Sequence, residues 1–292
     1  MAKIRERGVD RGISAVIYIV LVLMAIATLY PFINIIAKAF SGFSANTQGR
    51  VFLLPVDFQM DTFRRVVIST KYMQAAWVSV RVSVGGTLLS LVLSSFAAFA
   101  LAHRQLRGRS FFTVLFVFTM MFSGGMVPGY MLMRSLKLLN TIWVLFLPGA
   151  VSVYNMLVLK SNFETLPPSL EESAHIDGAS NFRTFFAIAV PISLPTYAAV
   201  ALFLAVGYWN SYTSAALYIT KQAYKPLQMY LVDIIAYASD PLRNIDDTVA
   251  SMDSPSGVQA CAILAATIPV LLVYPFLQKY FIKGIMIGSV KE

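Results

Sequence analysis

Between Leu166 and Pro191 the chain reads LPPSLEESAHIDGASNFRTFFAIAVP, a polar insertion between apolar runs that carries the carboxylates Glu171, Glu172 and Asp177. Carboxylates this close together can do acid–base chemistry, hold a cation, or complement a helix terminus. The first two uses need partners. The chain has two histidines, His103 and His175, and one cysteine, Cys261, with no metal-binding His motif, no paired acids and no Ser/His pair at a plausible depth. The third use fits the local pattern. Pro167 and Pro168 stop any helix that precedes them, and Ser169 followed by Glu172 forms a capping box, so a short helix is predicted from about Leu170. Glu171 and Glu172 then sit in its first turn at the positive end of the helix dipole, and Asp177-Gly178 supplies the turn that ends it. Ser180 caps a second helix. Ser173, Ala174, Gly178 and Ala179 protrude little, so another body can approach the segment closely. Docking, not catalysis, is the chemistry expected of it.

Other polar groups offer weaker signals. Asp240, Asp246, Asp247 and Asp253 lack the spacing, glycine and glutamate of a calcium loop and read as a solvated acidic loop. No G-x-x-x-x-G-K-[ST] phosphate loop occurs, so the chain has no means of its own to hydrolyse ATP. The stretch Gly207 to Ser214, GYWNSYTS, combines aromatic faces with hydrogen-bonding tips. It suits either sugar rings or an interfacial aromatic belt, and Trp209, Asn210 and Tyr212 are its candidate contacts. Asn155 lies in an apolar run, where an amide faces other helices or a wet cavity and not lipid. Tyr130 ends the run FSGGMVPGY, whose glycines and proline make a continuous helix doubtful, leaving either a translocation path or a bend at the end of a span.

The elements that must position these groups are membrane helices. Apolar residues make up 58% of the chain, charged residues 13%, and the mean hydropathy is +0.69, outside the range of soluble domains. Apolar runs near 14–37, 77–102, 111–134, 142–163, 192–219 and 257–280 predict six transmembrane helices in an all-α polytopic protein. The first run is too long for a signal peptide and lacks a cleavage site close behind it. The domain plan is therefore a basic tail at 1–13, a membrane domain at 14–282 with outer segments 38–76 and 221–256 and an inner loop at 164–190, and a tail at 283–292. An amphipathic helix is expected over Leu227 to Ala238. Lys and Arg divide almost evenly between the two sides, so orientation rests on Lys3, Arg5, Arg7 and Arg11 ahead of the first span and on Arg104, Arg107 and Arg109, which place both termini in the cytoplasm. The net charge of +9 is scattered, without the aromatic interleaving that nucleic acid binding needs.

The polar insertion resembles the cytoplasmic loop of ABC-importer permeases: EAA, three residues, Gly, nine residues, then Ile-x-Leu-Pro. Glu172, Ser173, Ala174, Gly178, Ile188 and Pro191 fall on that spacing, with Ser173 in place of the first alanine and Val190 in place of leucine. The six spans and the Gly-rich tail after Tyr280 are similar to the maltose permease-like subunits of carbohydrate importers. FSGGMVPGY, LPGAVSVYN and VGYWNSYTSA look most like the subgroup taking up complex oligosaccharides, importers of alginate included. The resemblance implies the type I ABC importer permease fold with a cytoplasmic coupling helix, in a bacterial inner membrane. It implies Glu171, Glu172, Ser173, Ala174, Asp177, Gly178, Ala179 and Pro191 as the residues coupling to an ATPase. It implies a second permease subunit, two ATPase subunits that bind the ATP and magnesium, an extracytoplasmic solute-binding protein and a saccharide substrate, with no cofactor in this chain. The competing class, an ion-coupled secondary transporter, needs acids within the spans as a relay, and their middles hold no Asp or Glu.

Overall fold

The computed structural model describes residues 8–239 and 254–289, and every regular element among them is helical. The start of the basic tail, the acids Asp240, Asp246, Asp247 and Asp253, and residues 290–292 lie outside the described residues. The chain divides into two units, residues 1–69 with 231–267 and residues 70–230 with 268–292.

The first unit opens on α1 (Gly8–Ala39), a 32-residue helix that runs unbroken through Pro31. Two short helices follow, α2 (Phe43–Thr47) and α3 (Asp61–Ile68), so the expected outer segment is partly helical. Its small core gathers Ala37, Ala45 and Val51. Polar side chains hold the turn after α1: Asn34 Nδ2 donates to the carbonyls of Val51 and Phe52 at 3.2 and 2.7 Å, and Asn46 Nδ2 to those of Lys38 and Ser41 at 3.0 and 3.1 Å. The lone cysteine does more than fill space. Buried Cys261 donates its thiol to the Ala39 carbonyl at 3.2 Å, at the end of α1 where the helix offers that group no internal partner.

The second unit is built on α4 (Thr70–Ala102), a 33-residue helix beginning before the expected Trp77. Its buried face is a row of small residues, Ser79, Ser83, Gly86, Ser90 and Ser94, which lets neighbouring helices come close. Around it lie α5 (Arg109–Met121), α6 (Met126–Ser135), α7 (Val153–Glu164), α8 (Pro168–Ile176), α9 (Asn181–Ile192), α10 (Leu194–Trp209) and α11 (Thr213–Tyr218). Two helices span both units, α12 (Leu227–Ser239), which matches the expected amphipathic helix, and α13 (Pro255–Ser289), which continues past the expected end near Tyr280.

The six expected spans are realised unequally. Ile13–Ala39, Thr70–Ala102 and Pro255–Leu272 are each long and apolar enough to cross a membrane alone. The third span breaks within the glycine run, as its sequence suggests: α5 and α6 meet at 108° around Gly125, whose φ of +88° favours glycine. The fifth begins as a second bent pair, α9 and α10 at 82°. The fourth, expected as one helix over 142–163, is not. A 3₁₀ turn at Ile142–Leu145 gives way to irregular backbone, and the 12-residue α7 is about 18 Å long, short of a ~30 Å hydrocarbon core. Pro148, which has no N–H to donate, and Gly149 occupy the gap.

Backbone released there needs partners, and Tyr208 on α10 supplies one. Its hydroxyl lies 3.0 Å from the Gly149 carbonyl and 3.3 Å from that of Phe146, and 2.8 Å from Ser90 Oγ on α4. One hydroxyl proton serves the carbonyls while Ser90 donates to the oxygen. Gly86 makes the approach possible, since a Cβ there would stand 2.8 Å from the Tyr208 ring. Gly86→Ala is therefore expected to destabilise the protein by about 1–3 kcal/mol through overpacking, and Tyr208→Phe by about 1–3 kcal/mol by leaving the carbonyl unpaired. Thermal unfolding in detergent measures both; a Gly86→Ala protein as stable as wild type would refute the packing account.

Candidate functional site

The segment from Pro167 to Pro191 folds into the two predicted helices. Helix α8 starts at Pro168, two residues ahead of the predicted Leu170, because proline is well placed in a helix's first turn. It stops at a glycine turn: Ala179 N donates to the Ala174 carbonyl at 2.8 Å and Asp177 N to that of Ser173 at 3.0 Å, while Gly178 takes φ +76°. Ser180 then caps α9, its Oγ accepting from Arg183 N at 3.4 Å.

The loop helix presents one face and hides another. Glu172, Ser173, Asp177 and Gly178 are exposed, as is Pro191, whereas Ala174 is buried and Ala179 half-buried. Ile176, at 86% relative exposure, is the most exposed large apolar residue of the described chain, and Phe182 is exposed nearby at 69%. Large apolar side chains left exposed on an otherwise polar loop mark a surface suited to a partner. Nothing in the sequence marks Ile176, since a single apolar residue in a short helix reads as a buried position.

Beneath this face the segment is anchored to α4. Phe185 stacks on Phe96 and leans against Phe99, both with ring centroids 5.0 Å apart, and Phe99 meets Phe163 of α7 edge-on at 5.7 Å. Phe182 and Phe186 also meet Phe96, at 6.2 and 6.0 Å. A π-turn over Phe185–Ala189 turns α9 at this point. None of these phenylalanines was singled out from sequence; the Phe185-Phe186 pair soon after a cap was the available signal.

Two side chains that follow α4, His103 just past its end and Arg109 at the start of α5, complete the anchor. His103 Nδ1 lies 2.8 Å from the Phe99 carbonyl and Nε2 lies 3.5 Å from Glu171 Oε2. Arg109 Nε donates to the Leu101 carbonyl at 2.8 Å while its guanidinium pairs with Glu164. Both engage a carbonyl of the last turn of α4; Arg109 also pairs with Glu164 on α7, and His103 lies beside Glu171 on α8. His103 thus stands between α4 and α8. Lys160 Nζ adds a bond to Glu164 at 2.8 Å. Partial burial pulls the Glu164 carboxyl upward, but Lys160 and Arg109 outweigh it and hold the group below the ordinary glutamate value.

Trp209, Asn210 and Tyr212 are neighbours in sequence, but among the described residues no hydrogen bond or ring contact joins them to Tyr130 or Asn155. Tyr130 stacks on Tyr218 with centroids 6.2 Å apart and planes 13° from parallel. Asn155 is buried at the first turn of α7 and not in the middle of a span, because the helix starts only at Val153; its Nδ2 donates to Ser152 Oγ at 3.0 Å. Trp209 is half-buried at the end of α10, Asn210 is exposed and accepts from Gln228 Nε2 at 3.2 Å, and Tyr212 is exposed. Among the described residues no three His, Cys, Asp or Glu side chains gather to hold a metal ion.

Comparison with known proteins bears on this arrangement. Residues 6–287 match the family described as the binding-protein-dependent transport system inner membrane component. The chain is 40% identical over 283 residues to the polygalacturonan/rhamnogalacturonan transport system permease protein YtcP of Bacillus subtilis, covering 97% of this chain and 99% of that one. It is 29% identical to the lactose transport system permease protein LacG of Rhizobium radiobacter, over 94% of this chain and 95% of that one. A chain in the crystal structure of a bacterial ABC transporter involved in the import of the acidic polysaccharide alginate superposes with a TM-score of 0.89 at 31% identity, covering 96% of this chain and 100% of that one.

The Glu164 cluster yields a pH signature. Because its folded-state pKa is lowered, the stability it contributes is present above the unfolded value and is lost as pH falls through the folded value. Wild type should therefore unfold at a higher temperature than Glu164→Gln at pH 7, with the gap closing on acidification through and below the ordinary carboxylate range. Melting curves of both proteins across that range check this; a gap independent of pH would refute it.

Proposed function

The chain belongs to the inner membrane components of binding-protein-dependent transport systems, the permeases of ABC importers, and from that premise we propose that it forms half of the path for an oligo- or polysaccharide and is driven through α8. The observation that carries this is the exposed tip of α8, with Ile176, Glu172 and Gly178 on its outer face, joined to α4 by phenylalanine packing and by the His103–Glu171 contact. The chain carries no phosphate loop, so the work of transport comes from ATPase subunits that bind ATP and magnesium. Each ATPase seats a permease loop helix in a surface groove. When the ATPase pair closes, α8 is displaced, and the packed rings pass the displacement to α4, α7 and α10, switching the membrane unit between outward- and inward-facing states.

A loop helix of this kind faces the cytoplasm, and both termini lie on that side with it. A second, different permease completes the path, and an extracytoplasmic solute-binding protein delivers the substrate. The saccharide assignment draws on the polysaccharides that the relatives carry and on the aromatic and amide groups Tyr130, Trp209, Asn210 and Tyr212. Asn155 and Tyr130 remain the path residues proposed nearest the breaks in α-helical backbone.

Ile176→Glu and Gly178→Leu test the lever. The first puts a charge on the docking tip; the second forces a β-carbon into the left-handed region, at a cost of about 1–2 kcal/mol local to the turn. Both proteins should insert normally in the membrane yet fail to copurify with the ATPase and lose most ATP-dependent uptake. Full uptake by both variants, or ATP-independent uptake by the reconstituted chain alone, would overturn the reading.

A further inference from the structure

The second unit holds two buried clusters, and the anchor of α8 belongs to one of them. Ala98, Phe99, Met156, Phe163 and Phe185 gather at the α8 end, while Val78, Val82, Met133, Val144 and Ile219 gather about 24 Å away along α4, measured from Val82 to Ala98. A displacement of α8 moves the near cluster directly through Phe185. The far cluster follows only if something in the gap carries the motion onward. Helix α4 crosses that gap whole, but the fourth span is irregular at 146–152, and the fifth leaves helical geometry at 210–212, between α10 and α11. Breaks of this kind absorb motion and do not pass it on unless a side chain bridges them.

Tyr208 stands at both breaks. It belongs to neither cluster and packs against both. Gly86 and Ser90, which receive it on α4, lie about 6 and 12 Å along the axis from Val82, within the gap. Its hydroxyl reaches the carbonyls of Gly149 and Phe146 at 3.0 and 3.3 Å, so the side chain joins the broken part of the fourth span to the unbroken α4. It lies one residue before the end of α10, next to the second break. The backbone bonds nearby, Leu147 N to the Trp143 carbonyl at 2.9 Å and Ala150 N to that of Leu147 at 3.1 Å, use other acceptors. With two carbonyls in reach of one proton, a small tilt of the segment exchanges one acceptor for the other and keeps the tie. Apolar contacts are non-directional and let the segment slide, so the hydroxyl is the part that holds register.

We propose that Tyr208 is a positioning residue of the transport cycle, whose hydroxyl makes the far cluster move with α8. The proposal rests on the reading of α8 as a lever and extends it by naming the residue through which the motion reaches the far end. ATPase docking and basal ATP hydrolysis belong to the α8 end and do not depend on the phenol. Coupling between sites is reciprocal, so a partner bound at the far end acts on the ATPases through the same joint.

The test uses the complete transporter reconstituted in liposomes. It compares ATP hydrolysis with and without the binding protein, which on that reading engages the far end, alongside uptake of an oligogalacturonate. Both signals are taken per assembled complex, so a loss of folded protein does not enter. Tyr208→Phe keeps the ring and its packing and removes the hydroxyl. It should assemble with the ATPase and keep basal hydrolysis, while stimulation by the binding protein and uptake per ATP each fall about tenfold, the factor that one lost hydrogen bond carries. Ser90→Ala removes a bond to the same oxygen but leaves its proton for the carbonyls; it should melt at a lower temperature than wild type and keep the stimulation. Wild-type stimulation and uptake per ATP in Tyr208→Phe would overturn the proposal. So would an equal fall in both variants, which would assign the effect to packing. Hydrolysis and uptake that proceed independently of each other in wild type would overturn the lever, and this joint with it.

Discussion

A peptide group inside a bilayer has no water to turn to, and the second unit of this permease is arranged around meeting that constraint where its helices break. Between Phe146 and Ser152 the chain leaves helical geometry, and the carbonyls of Phe146 and Gly149 find the hydroxyl of Tyr208. Ser90 completes that oxygen's bonding, and Gly86 leaves room for the ring against α4. One phenol therefore ties together the central helix, α10 and the irregular segment. Close packing of small residues along α4 follows from the same need, since neighbouring helices must come near enough for short side chains to bridge them.

At the other end of α4 the problem is mechanical. A docking tip transmits force only if the structure behind it does not yield. The phenylalanine cluster provides stiffness through close-packed rings; Arg109 reinforces it by satisfying a terminal carbonyl and holding Glu164, and His103 by engaging the Phe99 carbonyl beside Glu171. Glu171 and Glu172 are neighbours in sequence but do different jobs. The first turns inward to His103, and the second remains on the face offered to a partner.

How much of this was legible beforehand depended on the range of the interaction. The loop helix, its glycine stop and the Ser180 cap were readable because each rests on contacts within a few residues, and the observed helix starts only two residues early. The break at Gly125 was readable for the same reason. The fourth span was not: its apolar content satisfies a hydropathy window, and nothing in that window reports that the carbonyls freed around Pro148 are answered by a tyrosine some sixty residues further on. Asn155 was accordingly misplaced to mid-span. Phe185 and Phe99 carry no mark in the sequence, and Tyr208 reads there only as one aromatic of the Gly207–Ser214 stretch, since the role of each exists only through distant neighbours.

By itself, then, the sequence determined the all-helical membrane class, the lack of any ATP-hydrolysing motif and the short loop helix with its glycine stop, because composition, motif absence and helix boundaries are properties of a few consecutive residues. Tertiary structure alone decided which helices run whole and which break, and which of two adjacent glutamates faces outward. Those outcomes depend on pairings between residues far apart in the chain, whose geometry arises only when α4, α7 and α10 close upon one another.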